Sequence, residues 1–159
     1  GYIDLLSDLL CIATAYGWDV AKRRFNRRQP CKFHFTNLLA AVAWHPRRPR
    51  SIADYLSLTP QEQGAMLEWL VAQELWRRSA IRGNEAPETM AYWRGTEHEL
   101  DFVLSPDSFV EVKRGEVTPH EFAWFGAVFP RGSLTVVSGS RMDTKRVKGL
   151  TLAEFLAEE

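Results

Sequence analysis

The chain has 159 residues, of which 45% are hydrophobic and 25% charged, and its formal net charge at pH 7 is +0. This composition is ordinary for a globular protein and excludes wholesale disorder, and two cysteines are too few for a disulfide framework. No apolar run reaches the roughly 18 residues of a membrane-spanning helix. The length predicts one main domain with a small additional segment. Without a visible signal peptide, we expect a cytoplasmic protein.

Basic residues are concentrated near the N-terminus. Nine Lys and Arg residues lie between residues 20 and 52, where no Asp or Glu occurs. Such a block on a neutral chain predicts contact with an anionic partner, either nucleic acid or an acidic protein surface, and a solvated loop is the alternative. The candidate nucleic-acid-binding residues are Lys22, Arg23, Arg24, Arg27 and Arg28.

In the first part of the chain, helical spacing and capping signals predict helices around two short strands. Asn37, Ser51 and Thr59 are each expected to cap a helix, and the Thr59-Pro-Gln-Glu sequence begins a long helix that ends near Ser79. The predicted elements are a helix over 2–10, strands over 11–18 and 31–36 around a basic connection, and helices over 38–44, from 52, and over 60–79.

The periodicity changes to that of strands near residue 90. Thr118 is expected to cap a helix that ends near Phe129, and Thr151 caps a final helix. The run over 134–137 is almost continuously apolar, which is typical of a buried parallel strand. The other predicted strands are 90–94, 99–104 and 109–113. From Pro60 the order is helix, strand, strand, strand, helix, strand, which predicts an α/β fold.

The two middle strands carry charged residues at alternating positions. Glu111 and Lys113 share one face of their strand because side chains alternate between faces. Asp101 joins that face opposite Glu111 across a three-residue turn, or opposite Lys113 across a five-residue turn. A turn of two or four residues separates the carboxylates unless a β-bulge intervenes. Two carboxylates beside an ammonium group would suit Mg²⁺ or Mn²⁺, with the lysine orienting a water.

An aspartate followed after a gap by Glu-x-Lys on neighbouring strands resembles the signature of the PD-(D/E)XK nuclease superfamily. The predicted order of elements is similar to the core of that superfamily, the restriction-endonuclease-like fold. The resemblance implies that Asp101, Glu111 and Lys113 are catalytic and that Mg²⁺ is the cofactor. The alternative is a surface hairpin whose charged residues face water.

Members of this superfamily often add a glutamate from the helix before the first strand. Glu68 lies on a small, apolar helix face, whereas Glu74 has Arg77 and Arg78 within one turn, so helix ion pairs explain it. We therefore expect metal ligation by Glu68, Asp101 and Glu111, with Glu99 as a weaker alternative. The Gly64-x-x-x-Glu68 spacing is also similar to that of archaeal junction-resolving relatives.

A second resemblance extends over nearly the whole chain. The sequence is similar to the uncharacterised C-terminal domain of prokaryotic AAA+ superfamily ATPases at Tyr2-Ile-Asp-Leu-Leu, Lys32-Phe-His-Phe, Gly64-Ala-Met-Leu-Glu-Trp-Leu-Val-Ala-Gln-Glu-Leu, Tyr92-Trp-Arg, Glu99-Leu-Asp-Phe-Val and Val110-Glu-Val-Lys. This implies a winged-helix remnant with its basic strand pair over 1–58 and a PD-(D/E)XK-like domain over 59–159. Asn37 stands where that family usually has aspartate.

The resemblance implies that this chain is an accessory domain of an ATPase. No glycine is followed by lysine, so the P-loop motif is absent and we expect no ATP hydrolysis by this chain. The implied activity is Mg²⁺-dependent cleavage of DNA phosphodiester bonds. The alternative is a non-catalytic module that binds DNA or docks onto its ATPase module. A second copy of the chain, in a homo-oligomer, is a further candidate partner. His120 is expected to be a surface residue, and Trp124 is expected in the core rather than stacked on bases.

Overall fold

The computed structural model describes residues 1–87 and 89–158. It contains two compact units that are interleaved along the chain. The first consists of Gly1–Thr14 and Lys32–Thr89, and the second of Ala15–Cys31 and Met90–Glu159. The predicted division into 1–58 and 59–159 stays a prediction. Within the described ranges, every helix is too short or too polar to cross a membrane.

The structure is mixed α/β, in agreement with the predicted fold class. The helices are α1 (Tyr2–Asp8), α2 (Leu38–Trp44), α3 (Ile52–Leu56), α4 (Pro60–Ile81), α5 (Phe125–Val128) and α6 (Leu152–Ala157), with a 3-10 helix at Pro119–Phe122. The strands are β1 (Ile12–Asp19), β2 (Arg24–Asn26), β3 (Lys32–Phe35), β4 (Thr89–Arg94), β5 (Glu99–Leu100), β6 (Phe102–Ser105), β7 (Ser108–Val112), β8 (Ser133–Ser138), β9 (Met142–Asp143) and β10 (Val147–Thr151).

The predicted helix starts are confirmed by their capping hydrogen bonds. Asn37 accepts from the backbone N–H groups of Leu39 and Ala40 at the start of α2. At the start of α4, the Glu62 N–H donates to Thr59 Oγ1 at 3.3 Å, and the Thr59 N–H donates back to Glu62 Oε2 at 2.8 Å. Satisfying these otherwise unpaired N–H groups is why the chain turns into a helix at these positions.

In the second unit, a five-stranded sheet has the order β6-β7-β8-β10-β9. β7, β8 and β10 are parallel, which confirms the buried parallel strand predicted over 134–137, and β6 and β9 are antiparallel edge strands. Aromatic residues of α5 and its flanks cover one face of this sheet. Phe125 is fully buried, with its ring centroid 5.7 Å from that of Phe109 and 5.1 Å from that of Phe129.

The other sheet has the order β2-β1-β4-β5, with β3 also paired to β1. β1 and β2 form an antiparallel hairpin in which Trp18 is paired with Phe25. β4 and β5 are antiparallel, with Arg94 opposite Glu99. The prediction did not include β2, which lies inside the basic connection. The polar sequence there hides a strand whose aromatic residue Phe25 packs edge-on against Trp18.

Three further sequence predictions need correction. The strand expected over 99–104 is interrupted at Asp101, which separates β5 from β6. The helix expected from Thr118 to Phe129 is a 3-10 helix followed by α5, because the Glu121 and Ala123 N–H groups bond to carbonyls three residues back. The strands β9 and β10 were not predicted, since Gly149 weakens the strand pattern. A Cβ at Gly149 would lie 2.8 Å from the Met142 backbone nitrogen, so the close approach of β9 requires glycine.

Candidate functional site

A bulged hairpin brings Asp101 next to Glu111. A two-residue turn joins β6 and β7, with Ser105 opposite Ser108, and a β-bulge between Val103 and Ser105 then shifts the register so that Phe102 is opposite Val110. One step further, this register places Asp101 beside Glu111. The bulge is therefore the feature that puts both carboxylates on one side of the hairpin. Strand alternation predicted that a two-residue turn would need such a bulge to bring them together.

Two hydrogen bonds join the carboxylates to backbone N–H groups on the opposite arm of the hairpin. The Val112 N–H donates to Asp101 Oδ2 at 2.9 Å, and the Asp101 N–H donates to Glu111 Oε2 at 3.2 Å. Asp101 lies at the break between β5 and β6. Its side chain accepts a hydrogen bond from the neighbouring strand β7. Both acidic side chains are held in one orientation by these two hydrogen bonds.

Glu111 is buried in the middle of the parallel sheet. It is paired with Val136 of β8 and only 4% of its surface is exposed. The pKa of Glu111 is raised to about 8, chiefly by burial and then by the negative charge of Asp101, while Lys113 acts in the opposite direction. A carboxylate in such surroundings is costly to keep charged, and strongly raised pKa values of this kind are concentrated at functional sites.

Lys113 lies directly after β7 and is half-exposed. Its Nζ is 2.5 Å from Glu111 Oε1, and its backbone N–H donates to the Val137 carbonyl at 2.9 Å. Burial on its own would lower the pKa of Lys113, but the charge and hydrogen bond of Glu111, together with the charges of Asp101 and Glu121, outweigh it and the pKa is raised. Lys113 is therefore a charged donor at the rim of the site, in contact with solvent on one side and with Glu111 on the other.

These three residues line a cavity of about 410 Å³. Its lining residues are Glu97, His98, Glu99, Asp101, Glu111, Lys113, Glu121, Phe122 and Trp124. Five of them carry carboxylates and one is a lysine, so the cavity is strongly acidic. Glu99 also forms an ion pair with Arg94, and Glu121 Oε1 accepts from the Thr118 N–H at 2.7 Å.

Five lining residues were not singled out as site residues in the sequence: Glu97, His98, Glu121, Phe122 and Trp124. His98 and Trp124 form a flat stack, with ring centroids 4.0 Å apart and an interplanar angle of 4°. Trp124 is only half-buried. It packs against the core, as predicted, but it also forms part of the cavity wall, which was not predicted. His120 is exposed, as expected. The five lining residues come from the turn between β4 and β5 and from the 3-10 helix and the residues just after it, so no single local motif marks them as one site.

Glu68 belongs to the first unit, whereas Asp101, Glu111 and Lys113 belong to the second. Its Oε1 lies 3.5 Å from Nδ1 of the buried His34. Burial, and then the charge of Lys32, lower the pKa of His34 to about 4, so the imidazole is neutral at pH 7 and this contact is not a full ion pair. No pattern in the sequence predicted this contact. The role of Glu68 as a metal ligand stays a prediction.

Glu74 is held by helix ion pairs, as predicted. It is buried, and it accepts from Arg77 Nε and Nη2 at 2.8 and 2.7 Å and from Arg78 Nε at 2.7 Å. The hydrogen bonds from Arg77 lower the pKa of Glu74, and those from Arg78 act in the same direction. Glu74 is therefore a structural residue.

Glu74→Gln is expected to lower the free energy of unfolding at pH 7 by about 1–3 kcal/mol, because a buried charge-assisted network loses its anion. The lowered pKa means that this stabilisation is present above the ordinary pKa of 4.5 and is lost as the pH falls below it. Denaturant unfolding at pH 7 and at acid pH measures both effects. The exposed Glu85 provides the control, and equal stability of Glu74→Gln and Glu85→Gln would contradict the assignment.

The basic candidates lie on the β1–β2 hairpin and the turn that follows it, and all five are exposed. Arg23 Nη2 is 2.7 Å from Asp107 Oδ2, and the Arg27 guanidinium lies 4.6 Å from the centre of the Tyr16 ring. Phe25 is also exposed, next to Arg24 on β2. The hairpin therefore presents several cations and one aromatic ring to solvent.

Comparison with known proteins finds no match among family models, curated proteins or solved structures. Among residues 1–87 and 89–158, no group of three or more His, Cys, Asp or Glu side chains is arranged to hold a metal ion. The geometry of the site therefore rests on the pair formed by Asp101 and Glu111, with Lys113 at its rim.

Proposed function

We propose that this chain is a domain with a restriction-endonuclease-like core that cleaves phosphodiester bonds in DNA with Mg²⁺ or Mn²⁺. The observation that carries the proposal is the convergence of Asp101, Glu111 and Lys113 in one acidic cavity. The order of α4, β4, the β5–β6 and β7 hairpin, the helical crossover and the parallel β8 supports the core assignment.

The residues present fit a hard divalent cation. Mg²⁺ is usually bound through one or two carboxylates, waters and substrate phosphates, and Asp101 and Glu111 supply two adjacent carboxylates. The pKa of Glu111 is raised first by burial and then by the negative charge of Asp101, and a bound cation would favour the charged carboxylate against both effects. When bound, Mg²⁺ supplies charge stabilisation for the phosphoryl oxygens and lowers the pKa of water.

The chain's own residues have distinct roles in this proposal. The carboxylates of Asp101 and Glu111 each accept a hydrogen bond from a backbone N–H group. These bonds hold the two side chains in place, so they form a preorganised pair of oxygen donors. Lys113 is anchored to Glu111 and half-exposed, so its ammonium group orients the attacking water or contacts a phosphate oxygen.

Asp101→Asn is expected to lower Mg²⁺-dependent cleavage of DNA by about 100-fold or more, because the charge is lost. The amide oxygen of asparagine still accepts from the Val112 N–H, so the fold is retained. Cleavage of end-labelled single- and double-stranded DNA, with and without EDTA, measures the effect.

Asp143→Asn is the matched control, since Asp143 is an exposed strand aspartate outside the cavity. The proposal fails if wild-type protein shows no metal-dependent cleavage, or if Asp101→Asn and Asp143→Asn cleave equally. Circular dichroism of each variant verifies folding.

In its wider context, we propose that the domain is the C-terminal accessory region of a prokaryotic AAA+ ATPase. The motifs that resemble that family support this context. Its partners would be the ATPase module and DNA. Co-purification of the domain with a separately produced ATPase module tests the first partnership, and absence of a complex would count against it.

A second candidate function is non-catalytic binding of DNA through the basic hairpin. The observation that favours it is the exposure of Arg24, Phe25 and Arg28 on one hairpin. Cations that contact phosphates release counterions, so binding weakens steeply with salt, and an exposed aromatic ring can stack on a base.

Arg24→Gln combined with Arg28→Gln is expected to lower DNA affinity and to reduce the slope of log K against log salt by about 2, or roughly 0.9 for each lost phosphate contact. Fluorescence anisotropy over a range of salt concentrations measures both quantities. Arg82→Gln, in the other unit, is the control for net charge. Equal slopes for the double variant and Arg82→Gln would rule out the hairpin as the DNA contact.

A further inference from the structure

The wall of the acidic cavity contains a flat aromatic stack that the cleavage chemistry does not need. His98 lies at the turn between β4 and β5, where its carbonyl accepts from the Gly95 N–H at 2.8 Å. Its imidazole lies parallel to the Trp124 indole at a centroid distance of 4.0 Å. Trp124 is also stacked with Trp93, at a centroid distance of 6.0 Å and an interplanar angle of 18°, so packed aromatic rings support the His98–Trp124 stack at the cavity.

The surroundings of the His98–Trp124 stack limit which ligands can bind in the cavity. Five carboxylates line a space of about 410 Å³, and one lysine is the only basic side chain among the described lining residues apart from His98. A space of this size suits a ligand of small-molecule dimensions, and Lys113 is a cation at its rim that can meet a phosphate. A single nucleotide that enters with one phosphate directed at Lys113 fits this space.

We propose that His98, supported by Trp124, is a stacking platform for an unpaired nucleobase next to the phosphate that is cleaved. This inference rests on the proposed function, because it specifies the substrate class of the same cavity. A base can stack on a side-chain ring only when its own face is uncovered, as in a single strand, a flap or a frayed end. The substrate is therefore DNA with unpaired nucleotides, and His98 is a positioning residue.

The test measures binding of the full chain to a DNA hairpin that carries a five-nucleotide single-stranded tail, and to the same hairpin with a blunt end. Anisotropy is recorded with Ca²⁺ in place of Mg²⁺, so that the readout does not depend on cleavage. His98→Ala is expected to weaken binding of the tailed DNA by about 10-fold and to leave the blunt DNA unchanged, since stacking is worth a factor of this size. His98→Phe keeps a flat ring and is expected to restore tailed binding.

His120→Ala is the matched control, because His120 is an exposed histidine of the same unit outside the cavity. Tailed binding that is equal in wild type, His98→Ala and His120→Ala overturns the platform, and so does a loss that His98→Phe fails to restore. These outcomes are separate from the cleavage test with Asp101→Asn. If Asp101 is required for cleavage but His98 is not required for tailed binding, the nuclease proposal stands and the platform falls.

Discussion

Replacement of Glu111 by glutamine is expected to make the domain more stable and less active at the same time. The buried carboxylate lies beside Asp101, and its pKa is raised to about 8 mainly by burial. In the absence of metal, a neutral side chain of the same shape removes this cost. We expect the free energy of unfolding at pH 7 to rise by on the order of 2 kcal/mol, or roughly 4–8 °C in Tm. Cleavage is expected to fall about 100-fold or more.

The pH dependence has a defined sign. Because the folded-state pKa of Glu111 lies above its ordinary value of 4.5, the folded chain holds the proton more tightly than the unfolded chain. The contribution of Glu111 to stability therefore declines as the pH rises from about 4.5 to about 8. Thermal unfolding in EDTA across this range is expected to show a steeper decline for wild type than for Glu111→Gln.

Glu97→Gln is the matched control, because Glu97 is an exposed carboxylate of the same cavity. It is expected to change stability by less than about 0.5 kcal/mol. If Glu111→Gln is no more stable than wild type in EDTA, the carboxylate is not under the electrostatic strain that the structure indicates. If it cleaves as well as wild type, it is not a ligand or a catalytic residue.

Replacement of Lys113 by methionine is expected to lower both stability and activity. The ammonium group lies 2.5 Å from Glu111 and is paired with that buried carboxylate. Its loss removes this ion pair, at a cost of about 1–3 kcal/mol, which is reduced from the cost of a fully buried pair because Lys113 is half-exposed. Without the group that orients the water, cleavage is expected to fall about 100-fold or more.

Lys113→Arg separates the two roles. Arginine keeps the charge, so stability is expected to recover, but its planar guanidinium does not reproduce the ammonium geometry and cleavage is expected to stay low. Lys148→Met is the control, since Lys148 Nζ is paired with Glu158 at 2.8 Å on the surface. Denaturant unfolding and initial cleavage rates measure both effects. Full activity in Lys113→Met would remove the lysine from the mechanism.

The parts of the fold that depend on neighbouring residues were predictable. Side chains of Asn37, Thr59 and Thr151 bond to N–H groups two or three residues away, so the starts of α2, α4 and α6 follow from local chemistry. The assignment of Glu74 to helix ion pairs is local in the same sense, because its partners lie three and four residues along the helix. The apolar run of β8 also sufficed to predict a buried parallel strand.

The geometry of the site could not be predicted from neighbouring residues alone. Strand alternation places Glu111 and Lys113 on one face, but it cannot decide whether Asp101 joins them, because a shift of one residue reverses the face of a whole strand. The bulge between Val103 and Ser105 makes that decision. The burial of Glu111 likewise depends on β8, a strand more than 20 residues further along the chain.

The helix caps, the α/β class and the shared strand face of Glu111 and Lys113 were predictable, since these follow from periodicity and short-range hydrogen bonding. The hydrogen bonds from Val112 to Asp101 and from Asp101 to Glu111, and the flat stack of His98 on Trp124, are properties of the tertiary structure. Contacts of this kind depend on register and on packing between distant segments. Their energies depend on which side chains are excluded from water together, and that is a property of the folded chain rather than of any short stretch of it.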